Sequence, residues 1–198
     1  MPALEFFYDF GSPYSYLAST QVEALVARTG ATHSWRPMLL GGVFKATGNE
    51  TPASNMYKAR YLFGDLQSWA RHYDLPKVVL PRSFPTDSLK ADRLALVAEE
   101  QGKLVQWTHG AFARAFVLGD DLADAEVLTD LLRQVGMDPQ ASFARMLSPE
   151  IKERLRRTTE EAVDRGVFGA PTFFVNGQMF FGNDRLHFVE RALAQKEA

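Results

Sequence analysis

Leu4, Phe6, Tyr8 and Phe10 alternate with Glu5, Phe7 and Asp9; the first set is wholly apolar and the second carries Phe7, so large apolar side chains fall on both faces. A segment apolar on both faces reads as a central strand covered on two sides. The period then changes. Tyr14, Leu17, Ala18, Val22 and Leu25 follow helical spacing, behind Ser12 as N-cap and Pro13 as first helical residue, and Gly30 closes the run. Residues 32–36 predict a second strand, parallel to the first, which makes a strand–helix–strand unit.

From residue 41 to about residue 164 the apolar positions recur at helical intervals. Residues 41–54 read as a loop, with Gly41, Gly42, Gly48 and Pro52. Leu62, Leu66, Trp69 and Tyr73 mark an amphipathic helix stopped by Pro76, and a further helix starts near Ser88 and closes at Gly102. Val105, Thr108, Phe112 and Phe116 predict the next, and Asp124 caps one that carries Leu128, Leu131, Leu132 and Val135. Asp138-Pro139 and Ser148-Pro149 start two more, the second a long one ending near Gly166. The stretch TFFVNGQMFFG returns to strands, two short runs about an Asn176-Gly177 type I′ turn. A last helix is expected from about residue 184 to 195, presenting Leu186, Val189 and Leu193. The order predicts an α/β, thioredoxin-like fold with an inserted all-helical domain: residues 1–40 and 160–198 form the first unit and 41–159 the insertion.

Composition narrows the function. The chain has 198 residues, enough for one core with an insertion, and a formal net charge of -2, so no basic field draws nucleic acid. No apolar run approaches the ~20 residues that span a bilayer. The N-terminal MPALEFF opens directly on a strand pattern, without a basic n-region, so a soluble cytoplasmic protein is expected. There is no cysteine, which excludes disulfide exchange, thiolate metal ligands and a cysteine nucleophile.

Ser12-Pro13-Tyr14-Ser15 therefore raises a question, because it stands at the helix start where a redox enzyme of this layout carries C-x-x-C. Ser12 reads either as a simple N-cap or as a group that stabilises an anion with the help of unpaired amides and the helix dipole. A serine-hydrolase reading lacks a G-x-S-x-G elbow and an evident base, and the four histidines show no metal spacing. Ala170-Pro171 precedes a strand. In a thioredoxin layout this bond is cis and leaves the Ala170 N–H and C=O free to pair with an extended peptide; otherwise it is a plain strand-entry proline. Asn183 and Asp184 at the last helix read as caps or as acceptors for a ligand ammonium group. Asn49 and Lys58 read as solvated side chains or as polar groups beside a cleft.

Together the stretches FYDFGSPYSYLA, KARYLFGDLQSWARHY, FPTDSLKADR and GVFGAPTFFVNGQMFFGNDRL fall in order across nearly the whole chain. They resemble the 2-hydroxychromene-2-carboxylate isomerases, relatives of the kappa-class glutathione transferases and of the DsbA-type thioredoxin-fold proteins. The resemblance implies that the thiol comes from glutathione. Ser12 would hydrogen-bond its sulfur and keep it as thiolate. Ala170, beside cis-Pro171, would hold its backbone, and Asn183 and Asp184 its γ-glutamyl end. Asn49 and Lys58 would lie near the glutathione and substrate carboxylates. It further implies a homodimer, a small aromatic carboxylate as substrate, and Phe44, Tyr61, Trp69 or Phe84 lining its pocket. Asp87 stands where relatives often have asparagine, and its added negative charge would disfavour an anionic substrate unless Arg82 or Arg93 compensates. A kappa-like transferase acting on small electrophiles, and a thiol-free binding module of thioredoxin fold, remain as alternatives.

Overall fold

The computed structural model describes residues 3–195. Strand β1, Ala3–Tyr8, pairs in parallel with β2, Thr32–Pro37, on one side and antiparallel with β3, Thr172–Val175, on the other. Strand β4, Gln178–Phe181, closes the edge, giving the order β2-β1-β3-β4. Asn176 and Gly177 both have positive φ, as the hairpin signal requires. The two central strands are apolar on both faces because both faces are covered. One layer holds Phe6, which stacks on Phe173 at 5.0 Å and meets Trp35 edge-on. The other holds Phe7 and Phe174 with Met38, Val43 and Val167.

Helix α1, Pro13–Thr29, makes the parallel crossover, capped by Ser12 and ended by Gly30 in the left-handed region. The helical block follows, with α2 (Leu40–Thr47), α3 (Met56–His72), α4 (Leu89–Glu100), α5 (Leu104–Ala113), α6 (Ala125–Gln134) and α7 (Pro139–Met146). Helix α8, Pro149–Asp164, leads back to the sheet, and α9, Leu186–Ala194, covers it. The cap-plus-proline signals at Asp138 and Ser148 and the Asp124 cap are realised: each side chain accepts an amide of the first turn.

Three expectations are corrected. The first strand stops at Tyr8, not Phe10, because the Asp9 main chain and carboxylate take the amides of the next turn. Phe10 stays in the core without belonging to the ladder. Residues 41–54 are not a loop: 40–47 form α2, and Pro52–Ser54 a single 3-10 turn. The glycine there serves close packing, since a Cβ on Gly42 would lie 3.0 Å from Thr159 Cγ2 of α8. The helical run through Phe116 is two pieces, α5 and a π-helical turn at Arg114–Leu118.

Candidate functional site

The site begins at the C-terminal end of β1, where the chain turns into α1. Ser12 is 4% exposed. Its Oγ accepts the Ser15 N–H at 3.1 Å and donates to the Ala170 carbonyl at 3.1 Å. One hydroxyl thus joins the α1 N-terminus to the loop before β3. The Ala170-Pro171 bond is cis, the alternative that the thioredoxin layout implied. The Ala170 carbonyl is not free, however, because Ser12 occupies it. Among the described residues the Ala170 N–H meets no acceptor. At α1, proline leaves the first position without an N–H, and Ser15 and Tyr16 donate to the Ser12 Oγ and carbonyl. That leaves the Tyr14 N–H as the open donor beside the positive end of the helix.

The side chains around this point come from distant elements. The Tyr14 hydroxyl donates to Asp65 Oδ2 on α3 at 2.7 Å. Burial, then the Asp65 acceptor, pushes the Tyr14 phenol up, and the nearby charges of Tyr61 and Asp184 act in the same direction. Asp184 sits in a 3-10 turn, Asn183–Arg185, that packs on α1. Its Oδ2 pairs with Arg185 at 2.8 Å. Asn183 is buried. Its carbonyl accepts the Tyr73 hydroxyl at 3.1 Å, and its side-chain Nδ2 meets no acceptor. Asn49, just beyond α2, donates from Nδ2 to the Phe168 carbonyl at 2.8 Å, which ties it to the segment before cis-Pro171. Lys58 lies exposed on the first turn of α3, its amide capped by Asn55.

The fold therefore joins Ser12, Ala170 and Pro171 directly and brings Asp184 to the same helix start. Asn49 reaches the group through Phe168. Among the described residues Lys58 makes no side-chain hydrogen bond or ion pair to any of the others, its amide alone being capped by Asn55. Of the aromatic candidates, Trp69 and Phe84 pack on the main core, whereas Tyr61 is 72% exposed and lines a groove of about 450 Å³ with Tyr57, Arg60 and Asp65. Larger grooves of about 720 and 860 Å³ run along α8 and contain none of the candidate residues. Asp87, one residue ahead of the Ser88 N-cap position of α4, accepts the Leu89 N–H at 3.0 Å, and among the described residues it pairs with neither Arg82 nor Arg93. No group of three or more metal-ligating side chains is assembled among the described residues.

Sequence reading missed Tyr14, Asp65, Asp9 and Asp92. Asp9 and Asp92 are both buried, and burial raises the carboxyls of both. Asp9 is a lone acid between two aromatic residues, YDF, and that was the available signal; Asp92, between Lys90 and Arg93, reads locally as one more charge on a solvated helix.

A family model described as a DSBA-like thioredoxin domain matches residues 3–194. The 2-hydroxychromene-2-carboxylate isomerase of Sphingobium xenophagum is 34% identical over 192 residues, 96% of this chain and 97% of that protein. The human glutathione S-transferase kappa 1 is 28% identical over 207 residues, 98% of this chain and 91% of that protein. A solved 2-hydroxychromene-2-carboxylate isomerase superposes with a TM-score of 0.89 at 28% identity, covering 96% of this chain and 94% of that one. The chain therefore belongs to the DSBA-like thioredoxin family and, within it, to the group of the 2-hydroxychromene-2-carboxylate isomerases and their kappa-class relatives.

Proposed function

We propose that the protein is a glutathione-dependent isomerase that converts 2-hydroxychromene-2-carboxylate to trans-o-hydroxybenzylidenepyruvate. The observation that carries the reading is the Ser12 hydroxyl, held between the α1 N-terminus and the Ala170 carbonyl in a chain without cysteine. A site of this kind needs an external sulfur, and relatives of the chain are named glutathione transferases.

The residues present fit such a ligand. The open Ala170 N–H offers strand-like pairing to a peptide backbone, and the open Tyr14 N–H offers a donor to an anion. Asp184, partly exposed, is an acceptor for an ammonium group once Arg185 yields it. Bound there, glutathione would supply a nucleophilic sulfur for reversible addition to a conjugated carbon of the substrate, and would be recovered unchanged. Ser12 turns its hydroxyl proton from Ala170 toward that sulfur. The helix dipole and the Tyr14 amide favour the sulfur anion over the thiol, whose ordinary pKa is about 8.5. Tyr57 and Tyr61 offer exposed aromatic faces to a bicyclic ligand, and Lys58, one helical turn from Tyr61, offers a cation to its carboxylate. Asn49 holds the Phe168 segment in place, and Asn183 carries the turn that presents Asp184. The same reading takes residues 41–159 as the inserted domain that forms the substrate side. A cytoplasmic location and a homodimer belong to it as well, both through the resemblance. No described helix is long and apolar enough to cross a membrane.

Titration calorimetry with glutathione tests the reading. Binding in the micromolar to millimolar range, weakened in Asp184→Ala, is expected. Turnover of 2-hydroxychromene-2-carboxylate should fall by about 10²-fold or more in Ser12→Ala. Near-normal turnover in that variant would remove the role given to Ser12, and absence of binding would move the chain to a thiol-free binding module. The similarity to a kappa-class transferase favours a second reading, conjugation of small electrophiles. The two separate cleanly, because a transferase consumes one glutathione per turnover and an isomerase consumes none.

A further inference from the structure

Beneath the Ser12 turn lies a carboxyl group that the proposed reaction does not use. Asp9 is 2% exposed. Its Oδ1 accepts the Gly11 N–H at 2.6 Å, its Oδ2 accepts the Leu40 N–H at 2.5 Å, and its carbonyl accepts the Ser12 N–H at 3.0 Å. One residue thus holds both amides that lead into α1 and the first amide of α2. Gly11 is confined from the far side as well: a Cβ there would lie 3.1 Å from Asp9 Oδ1 and 3.3 Å from the Thr86 carbonyl.

A second carboxyl lies one helical turn from this point: a Cβ on Gly11 would also lie 3.9 Å from Ser88 Oγ, and the Ser88 carbonyl accepts the Asp92 N–H at 2.9 Å. Asp92, on the first turn of α4, is fully buried, and neither of its oxygens has a hydrogen-bond partner. The Ser88 hydroxyl favours the ionised form of each, and the Phe10 amide does the same more weakly for Asp92, but burial outweighs both. The other titratable groups acting on the pair are Asp87, from the segment before α4, and the phenol of Tyr8, from β1; α2 contributes only its Leu40 amide. No cation is among them. Two buried carboxylates without a cation do not both ionise; they hold one proton between them. The charge settles on Asp9, whose two oxygens each accept an amide at hydrogen-bond distance, and the proton on Asp92, whose oxygens meet no donor at that distance among the described residues.

We propose that Asp9 is the positioning residue of the Ser12 site, its carboxylate clamping the Gly11 and Leu40 amides while Asp92 beside it carries a proton. The proposal rests on the reading that Ser12 faces an anionic sulfur. It explains how an acid lies under an anion site without cancelling it: the charge of Asp9 is spent on two amides, and the proton on Asp92 keeps a second charge away.

The test uses Asp9→Asn, Asp92→Asn, Ser12→Ala and the Asp9→Asn/Ser12→Ala double variant. An amide has one acceptor atom and cannot receive both N–H groups. Asp9→Asn should lower kcat by about tenfold or more, leave the KM for glutathione within about threefold, and move the titration of the bound thiol, followed by its ultraviolet absorbance, to higher pH. Asp92→Asn replaces an un-ionised acid by a neutral group of similar shape and should stay within about twofold in turnover. If Asp9 acts through Ser12, the double variant is no worse than Ser12→Ala; additive losses overturn the proposal. Two readouts are independent of glutathione. Infrared spectra at neutral pH should show the carbonyl stretch of an un-ionised buried acid, lost in Asp92→Asn. Its absence from the wild type overturns the pairing even if Asp9→Asn fails to fold. Amide exchange at Gly11 and Leu40 should speed by about tenfold or more in Asp9→Asn and not in Asp92→Asn, and equal rates overturn the clamp. If the wild type binds no glutathione while these two signatures appear, the fault lies with the glutathione reading and the pair stands.

Discussion

Ser12 shows how one side chain takes on two tasks. As an N-cap it satisfies an α1 amide, and as a donor it reaches the Ala170 carbonyl 158 positions away. The local pattern S-P-Y-S announces only the first task. A comparable double constraint sits at Gly182. Its φ is 105°, and a Cβ there would lie 2.4 Å from Asp184 Oδ1. Gly182→Ala should therefore lower stability by about 1–3 kcal/mol and push the Asp184 carboxylate out of place. Thermal unfolding with glutathione calorimetry checks both parts. An unchanged melting temperature with unchanged affinity would mean that the turn adapts and that Asp184 is not held by the backbone.

Elements are locked to each other by few polar contacts among many apolar ones. Thr159 on α8 is an example. Its Oγ1 accepts the Leu39 N–H at 3.0 Å and donates to the Leu155 carbonyl at 2.8 Å, while its methyl faces Gly42. Replacing it by valine keeps the shape and removes the acceptor. Thr159→Val should cost about 1–3 kcal/mol, because the Leu39 amide loses its partner. Urea unfolding should show a lower midpoint with an unchanged slope; a midpoint equal to wild type would indicate that water replaces the hydroxyl. The same contact accounts for the misread segment 41–54. Its glycines look like loop residues in sequence, and only the approach of α8 reveals that one of them makes room for a helix.

For the whole molecule, two sets of carboxyls pull the pH dependence of stability in opposite directions. Glu5 on β1 is bound by Arg165 at 2.7 Å and Arg36 at 3.1 Å, and Arg36 and Arg165 also pair with Glu161 of α8. Arg165 lies over the Phe174 ring at 3.8 Å, so the network spans β1, β2, β3 and α8. The Arg165 hydrogen bond, partly opposed by burial, holds the Glu5 carboxyl below its usual range. A lowered carboxyl stabilises the fold above its unfolded pKa and loses that contribution as pH falls through the folded value. The stability difference between wild type and Glu5→Gln should therefore be positive at neutral pH and shrink in acid. Asp92 behaves in reverse. Burial, then the charge of Asp9, raises it. Its contribution is complete below the unfolded pKa and declines as pH rises toward the folded one. Asp92→Asn should gain stability relative to wild type from acid to neutral pH. Denaturant melts across that range decide, and a pH-independent difference in either variant would refute the ionisation state assigned to that residue.

Element type, order and most boundaries were legible in the sequence because they rest on local physics. Period, caps, prolines and an Asn-Gly turn act within a few residues, and the structure follows them from α1 to the hairpin. The absence of cysteine and the serine at the helix start were equally plain. What tertiary structure decided is which of the marked residues meet. Ser12 bonds to Ala170 and the turn that carries Asp184 packs on α1, but among the described residues Lys58 makes no side-chain hydrogen bond or ion pair to another candidate, and Asn49 bonds to the segment before Pro171 only through Phe168. Tyr14, Asp65 and the Asp9–Asp92 pair acquire their roles from partners many residues away, on helices whose facing sides are set by packing. Local patterns carry no record of such meetings. The energy of a buried charge depends on what surrounds it in space, and neighbours in sequence supply only part of that surrounding.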